Sequence, residues 1–427
     1  MRAIWANLLA LLFLCTCACV LYFWSRLEKR LERHKRDFQE QGPYLGPSSD
    51  LSAKTFRALL AVPAAEKLYF ASRIHIHNVT GAETVSTGNG NNVLVKVNHL
   101  KSIDPEVRRG PDITEAVEDG IFWSQNLEDR LSVGFSEKHA RSWRRRARGS
   151  RVVSLEAGCG RTSNQLATFS DGTKACVRYG INADQVQGET LSYYLGCLLG
   201  ITNIPPLVLA QLNVDGERWA SVRSRIASLQ WSRGEVVSLT EWIANLTGVV
   251  TPAPLRQDSE RLHPLLEDLR RKTKAELLAL MQWSDLLIFD YLTANFDRLA
   301  SNLFSLQWDP RVMERDTSNL LQTPRGALVF IDNEAGLVHG YRVLDMWERH
   351  HSAILRSVCL FRRRTAQRVI DLHLDRDART RLLELYRDNE PLAAHLGFLS
   401  DEHARILQDR IERVYKHILH CKGKYSQ

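Results

Sequence analysis

Lysine is scarce in this chain, supplying 13 of its 57 basic side chains. The remaining cations are arginine, whose planar fork suits anionic partners such as phosphate or carboxylate. The arginines are spread along the whole sequence instead of gathering in one tail, so their number does not establish nucleic-acid binding, and none is expected. There is no C-x-x-C pair, and Cys159, Cys176, Cys197, Cys359 and Cys421 lie far apart, which argues against zinc. No internal repeat is present. What is there is ordinary for a globular protein: 427 residues, 44% hydrophobic, 25% charged and a net charge of +8. Those proportions exclude a largely disordered or collagenous chain, and the length fits two or three domains.

From Ala3 to Trp24 the sequence is almost wholly apolar, long enough to cross a hydrocarbon core of about 30 Å. Tyr22, Phe23 and Trp24 form an aromatic belt at its end, which favours an uncleaved signal anchor over residues 1–25. The competing reading is a signal peptide cut within Cys15–Cys19. Those cysteines are palmitoylation candidates or simply small lipid-facing residues. The basic cluster Arg26–Arg36 would by charge bias stay cytoplasmic. Two N-x-T sequons, at Asn78 and Asn245, argue instead for a lumenal body with glycans at those positions. The residues alone leave the orientation open.

Residues 26–60 read as a charged helical stretch and a Gly/Pro-rich stem, and 61–150 as an N-terminal extension with an expected strand at 92–97. The extension closes on the arginine-rich run 141–148, read first as a solvated, mobile connector. Its R-x-x-R spacing at Arg145 and Arg148 makes a processing site the second reading, and nucleic-acid binding the third. From residue 151 the pattern becomes strand-rich, with strands expected at 151–155, 166–169, 175–179 and 207–212, a helix over 184–199 and a hairpin turn at 214–217. After Ala275 helix dominates, with one short strand at 327–331. This is an α+β arrangement in two lobes, about 151–235 and about 236–427.

The chemistry-bearing residues come in a telling order. Asp297 follows an apolar helical stretch and precedes Asn302 by five positions, the spacing of a kinase catalytic loop. There the aspartate orients the substrate hydroxyl and the asparagine holds metal. Asp332 ends the strand 327–331 and is followed shortly by Gly336, a place for the carboxylate that binds Mg²⁺ or Mn²⁺; both are hard ions that prefer oxygen. Upstream, Gly158 and Gly160 form a G-x-G turn whose N–H groups can approach phosphate, although the third glycine of the usual loop is missing. Arg178 stands where V-A-I-K would place a lysine, with Lys174 as an alternative on the same strand face. Glu189 lies early on the following helix, where a kinase carries the acid that pairs with that cation. Taken singly, each has a plain structural reading: a turn residue, a solvated helix face, a chance D-x4-N. Their joint order over 156–334 is hard to reach by accident.

Four stretches carry a resemblance: Ala175–Gly180 (ACVRYG), Trp283–Asn302 (WSDLLIFDYLTANFDRLASN), Ile331–Gly340 (IDNEAGLVHG) and His417–Lys422 (HILHCK). They closely resemble the four-jointed family, including its vertebrate box homologues, from about residue 115 to the C-terminus. The chain is also similar to the secretory-pathway kinases that phosphorylate casein and matrix proteins. The resemblance implies an atypical two-lobed kinase fold and a type II Golgi membrane topology with a lumenal catalytic domain, sometimes cleaved and secreted. It implies transfer from ATP to Ser/Thr of extracellular cadherin domains of the Fat and Dachsous type, in planar polarity and growth signalling. It assigns Asp297 as catalytic, Asp332 as metal ligand and Glu189 as the helix acid, and it pairs Cys359 with Cys421 in a disulfide. Arg178 departs from the usual lysine.

Two other functions compete. One is a secreted, non-catalytic signalling ligand that uses the fold only for binding, in the way that vertebrate homologues regulate dendrite growth. The other is a Golgi glycosyltransferase with Asp375-Arg376-Asp377 as its D-x-D; a solvated helix face is the better reading of that charged stretch.

Overall fold

Ser124 and Ser136 each start a helix by accepting a backbone N–H with the side-chain hydroxyl, a common N-terminal cap. A two-stranded hairpin, β1 (Val117–Glu118) and β2 (Phe122–Trp123), precedes α1 (Gln125–Glu128). The computed structural model describes residues 116–425 apart from 133, 181, 257–260 and 266. The apolar segment 3–24, the stem, the Asn78 sequon and the expected strand at 92–97 lie outside the described residues. Among the described residues no helix is long and apolar enough to cross a membrane.

The arginine-rich run is not a mobile connector: it is most of α2 (Glu137–Gly149). Ala140, Trp143 and Ala147 recur at helical spacing and are buried, so the helix has an apolar face despite its charge. Arg144 is buried on the same side and donates to the Tyr193 hydroxyl at 2.7 Å. Arg148 donates to the backbone carbonyl of Asn389. The helical conformation also withholds the extended backbone that a processing protease would need between Arg145 and Arg148.

β3 (Val152–Glu156), β4 (Gln165–Phe169) and β5 (Lys174–Arg178) follow, then α3 (Ala183–Leu199), β6 (Leu207–Gln211), α4 (Arg223–Ser228) and β7 (Val236–Glu241). The five strands form one antiparallel sheet in the order β3-β4-β5-β7-β6. Its inner face follows the period of two, with Ala175 and Val177 of β5 set beside Ala167 of β4 and Leu239 of β7 in a common core. The turn at 214–217 does not close a hairpin. β6 and β7 pair in register, but the chain between them makes an excursion through α4, and Trp219, Val222, Ile226 and Trp231 pack into the core beneath. β7 itself, read as part of the helical lobe, extends this sheet to Glu241.

Asn245 is exposed in the turn that leads from β7 to β8 (Thr247–Val250). Next comes α5 (Lys274–Thr293), started by a reciprocal box in which Thr273 and Glu276 each bind the other's backbone N–H. Its residues from Leu286 to Thr293 are buried on every side, so it runs through the core. α6 (Leu299–Ser305) follows, and then β9 (Asp316–Gln322) and β10 (Leu328–Phe330), which with β8 make a three-stranded antiparallel sheet. β9 was not anticipated. Its polar DTSNLLQ sequence buries only Thr317 and Leu320, too few to mark a strand by pattern.

The rest is helical: α7 (Val338–Arg342), α8 (Leu344–Arg356), α9 (Arg363–Asp375), α10 (Ala378–Asn389), α11 (Ala393–Leu396) and α12 (Asp401–Tyr425). Arg381 of α10 binds Asp375 at 2.6 Å and Asp377 at 2.7 Å, so both acids of the D-x-D are engaged in a local ion pair. Cys359 and Cys421 form a disulfide that ties the segment before α9 to the end of α12. His417 lies with them within 4.8 Å, a grouping that resembles a metal site, but the disulfide leaves no thiolate to bind an ion. A second disulfide, Cys159–Cys176, had no counterpart in the sequence reading; Cys197 is free.

Candidate active site

The last residue of β5, Arg178, is buried and faces three carboxylates. Its Nη1 lies 2.5 Å from Glu334 Oε2 and 2.8 Å from Asp332 Oδ1, and its Nε lies 4.0 Å from Glu189 Oε2. Burial works against the guanidinium charge, but the combined field of Asp332, Glu334 and Glu189 outweighs it and raises the pKa. Burial acts the other way on the acids. It pushes Glu189 up to about 7 against the pull of Arg178, and it raises Glu334 for the same reason.

Close packing brings these elements together. Gly188 of α3 lies against the backbone of the turn after β10, where an added Cβ would come 2.6 Å from the Glu334 carbonyl. Only glycine lets the helix approach closely enough to set Glu189 beside Asp332 and Arg178. Gly158 and Gly160 have φ of 133° and 84°, conformations that favour glycine, in the loop between β3 and β4. The Cys159–Cys176 bond fastens that loop to β5. Arg161, next in the loop, reaches Glu334 at 2.6 Å. The loop is thereby tied to the acid cluster by charge and to β5 by sulfur.

The loop of Asp297 is held by a different arginine. Arg298 binds Asp290 with two prongs, Nε to Oδ2 at 3.0 Å and Nη2 to Oδ1 at 2.7 Å, both residues being fully buried. The same guanidinium donates to the carbonyl of Ile331 at 3.0 Å and to Asn333 Oδ1 at 2.8 Å, on either side of Asp332. Asp297 Oδ2 accepts from Asn319 of β9 at 2.9 Å. Asp297 and Asp332 therefore sit in one hydrogen-bonded frame. Asp332 itself adopts a left-handed backbone conformation, φ 56°, which a short polar side chain tolerates.

Not every expected residue joins this frame. Lys174 lies at the far end of β5, exposed and opposite Thr168, and does not replace Arg178: four strand residues place it on the same face but at the rim of the sheet. Asn302 is buried on α6, and its backbone N–H bonds to the Arg298 carbonyl. Arg161, Arg298, Asn319 and Glu334 were not singled out from sequence, although Glu334 stands in the Asp-Asn-Glu motif that was.

A divalent cation fits the chemistry of the donor set. Asp332 Oδ1 and Glu189 Oε2 are buried without a hydrogen bond and converge on Arg178, whose Nε is likewise unbonded. Oxygen ligands of this kind suit Mg²⁺ or Mn²⁺. A basic residue ending a sheet strand, a helix acid, a strand-terminal aspartate and a second aspartate after a buried helix together define a kinase-like α+β fold.

Residues 138–424 match the four-jointed box protein middle domain. The chain is 64% identical over its full length to four-jointed box protein 1 of Xiphophorus maculatus, also covered in full. It is 56% identical to the human protein of the same name, over 74% of each. It is 34% identical to the extracellular serine/threonine protein kinase four-jointed of Drosophila melanogaster, over 72% of this chain and 61% of that one. The chain belongs to the four-jointed box protein family. Among solved structures, a hydra Fam20 with sugar superposes with a TM-score of 0.49 at 15% identity, covering 70% of this chain and 95% of that one. The Golgi casein kinase with Mn/ADP bound gives 0.47 at 14% identity, covering 70% and 81%.

Proposed function

We propose that this protein is a secretory-pathway serine/threonine kinase that transfers the γ-phosphate of ATP to extracellular cadherin domains of the Fat and Dachsous type. The observation that carries the reading is the single frame in which Arg298 holds Asp297 beside the Asp332 turn while Arg178 faces Asp332 and Glu189. The name of the Drosophila relative supports the activity and its specificity for serine and threonine. By the same family logic the chain is a Golgi type II membrane protein with a lumenal kinase domain, also released to the extracellular space.

In this mechanism Asp297 accepts the proton of the acceptor hydroxyl as its oxygen bonds to the γ-phosphorus and the bond to the β-phosphate oxygen breaks, releasing ADP. Asp332 and Glu189, with Asn302 as the further donor that the D-x4-N spacing suggests, would hold Mn²⁺ or Mg²⁺, which would supply positive charge against the phosphates. Arg178, kept cationic by its three acids, would supply the positive charge that meets phosphate. Arg161 and the N–H groups of the Gly158–Gly160 turn would be available to contact the phosphates.

One observation favours a second reading, a secreted non-catalytic ligand. Arg178 already lies 2.8 Å from Asp332, so a cation must compete with a guanidinium for that carboxylate. The experiment is phosphate transfer from labelled ATP to a purified cadherin-repeat fragment, with Mn²⁺, Mg²⁺ or chelator, beside Asp297→Asn and Asp332→Ala. Metal-dependent transfer lost in both variants supports the kinase. Absence of both transfer and nucleotide binding in folded wild-type protein supports the ligand.

A further inference from the structure

Arg362, Arg363 and Arg364 are consecutive at the start of α9, and all three line one open cleft of about 430 Å³. The opposite walls are α1 with the loop after it, and Gly200 and Thr202 beyond α3. Gly200 ends α3, about 16 Å along the helix from Glu189, so the cleft is separate from the acid cluster around Arg178. Its volume is that of a small-molecule site.

Two of the arginines are already committed to acids. Arg362 is 8% exposed and binds Asp285 at 2.7 Å, while its Nε is buried without a hydrogen bond, 3.5 Å from Glu128. Arg363 binds Asp119 at 2.9 Å and lies 3.5 Å from Glu118, neither of which lines the cleft. Its backbone N–H is taken by Glu128 at 2.8 Å. Arg364 differs. It is exposed, and among the described residues its guanidinium has no ion pair or hydrogen bond. A lone exposed arginine is ordinarily solvated and mobile, but this one lies in a recess. A Cβ on Gly200 would come 2.6 Å from Arg364 Nε and 3.2 Å from its Cζ, so the missing side chain leaves room for the guanidinium. The Arg364 backbone N–H, second in α9, has no acceptor within the helix, and a helix start favours negative charge. Fork and amide are unused donors at a cleft that a buried second cation also lines.

The rest of the lining sets the ligand class. Leu131 is its one apolar side chain and it contains no aromatic ring, so it matches neither a lipid tail nor a stacked base. Ser132 and Thr202 bring hydroxyls, and Asp129 holds the Gln125 amide at 2.7 Å through one carboxylate oxygen. Such groups pair with ligand hydroxyls. We propose that this cleft binds a sugar carrying a phosphate or sulfate ester, with the ester on Arg364 and the sugar hydroxyls on Ser132, Thr202 and Asp129. The site stands on the cleft alone and does not depend on the kinase reading.

The test titrates the full chain, with ADP and Mn²⁺ present, against glucose 6-phosphate, N-acetylglucosamine 6-sulfate, glucose and inorganic phosphate. Binding is followed by ligand-observed NMR, and ADP affinity is measured separately. Both esters are expected to bind more tightly than glucose or inorganic phosphate, and the tighter of the two identifies the ester. Arg364→Ala is expected to weaken ester binding about tenfold, the worth of a charge-assisted contact, with ADP affinity unchanged. Arg364→Lys, which keeps the charge without the fork, is expected to fall between. Arg364 is exposed, and equal melting temperatures confirm that these variants fold. Equal ester affinity in wild type and Arg364→Ala overturns the site, as does the absence of saturable ester binding. Inorganic phosphate binding as tightly as the esters also overturns it, because the sugar would then contribute nothing.

Discussion

Arg298 and Asp290 form a two-pronged ion pair that water does not reach; the remaining nitrogen, Nη1, donates to the carbonyls of Asn319 in β9 and Ile331, and Nη2 also reaches Asn333. The pair sets the spacing between the loop aspartate and the strand-terminal aspartate. Burial alone raises the Asp290 pKa, with Arg298 opposing the rise. Replacing Asp290 with Asn leaves Arg298 charged and unpaired in the core. The expected loss is about 3–5 kcal/mol of stability, read by urea denaturation. Arg298→Lys keeps the charge but cannot fork, so it is expected to retain more stability than Asp290→Asn while losing phosphate transfer.

Arg178 compensates three acids at once, so its removal affects more than nucleotide contact. Arg178→Met is expected to cost about 3–5 kcal/mol, because Glu189 is left buried without a cation and Glu334 keeps only Arg161. Arg178→Lys restores the charge, and its melting temperature is expected to lie between those of Arg178→Met and the wild type. Equal melting temperatures for Met and Arg at this position would contradict the ion-pair account.

The Cys159–Cys176 bond closes a loop with a sequence separation of 17. A loop of this size stabilises by about 3 kcal/mol through restriction of the unfolded chain. Cys159→Ser with Cys176→Ser is therefore expected to lower stability by about that amount and to weaken nucleotide binding, since the Gly158–Gly160 turn and Arg161 lose their anchor. Calorimetric titration with ADP and Mn²⁺ reads the second effect. The corresponding pair of substitutions at Cys359 and Cys421 should leave nucleotide affinity unchanged.

Acid is expected to destabilise the fold through histidine. His351 is buried with both ring nitrogens unbonded; burial, then Arg410 and His350, hold its pKa well below 6.5. The unfolded chain takes up the proton first, so this contribution to stability is complete above pH 6.5 and is lost as the pH falls below it. His339, His350, His403 and His417 are depressed by burial in the same direction. These histidines should lower the melting temperature between about pH 6.5 and about pH 5.5, against an opposite contribution from Glu189, which takes up its proton first in the folded state. His351→Leu should make that fall shallower, and an unchanged slope would remove His351 from the account.

What the sequence made legible was order. Glu189, Asp297 and Asp332 stand out because each falls at a recognisable point on a helix, a loop or a strand end, and these are local signals. Their supports are not local. Arg178 and Glu334 are 156 positions apart, and Asn319 comes from a strand whose polar composition concealed it. Arg161 and Arg298 looked like two more arginines in an arginine-rich chain, because a guanidinium shows its purpose only through the carboxylates it meets. The run 141–148 failed for a related reason. Its charge was conspicuous, whereas the apolar face made by Ala140, Trp143 and Ala147 was not weighed against it.

Homology and folding draw the edge of this domain in different places. The family match begins at residue 138, one residue inside α2 and beyond its Ser136 cap. Upstream of that point Trp123 is wholly buried, donates its indole N–H to Ser284 of α5 at 3.2 Å and bonds through its backbone to Phe361. A recombinant fragment trimmed to the match would thus expose a core tryptophan's socket and uncap a helix. Expression boundaries for this protein belong ahead of Ala116.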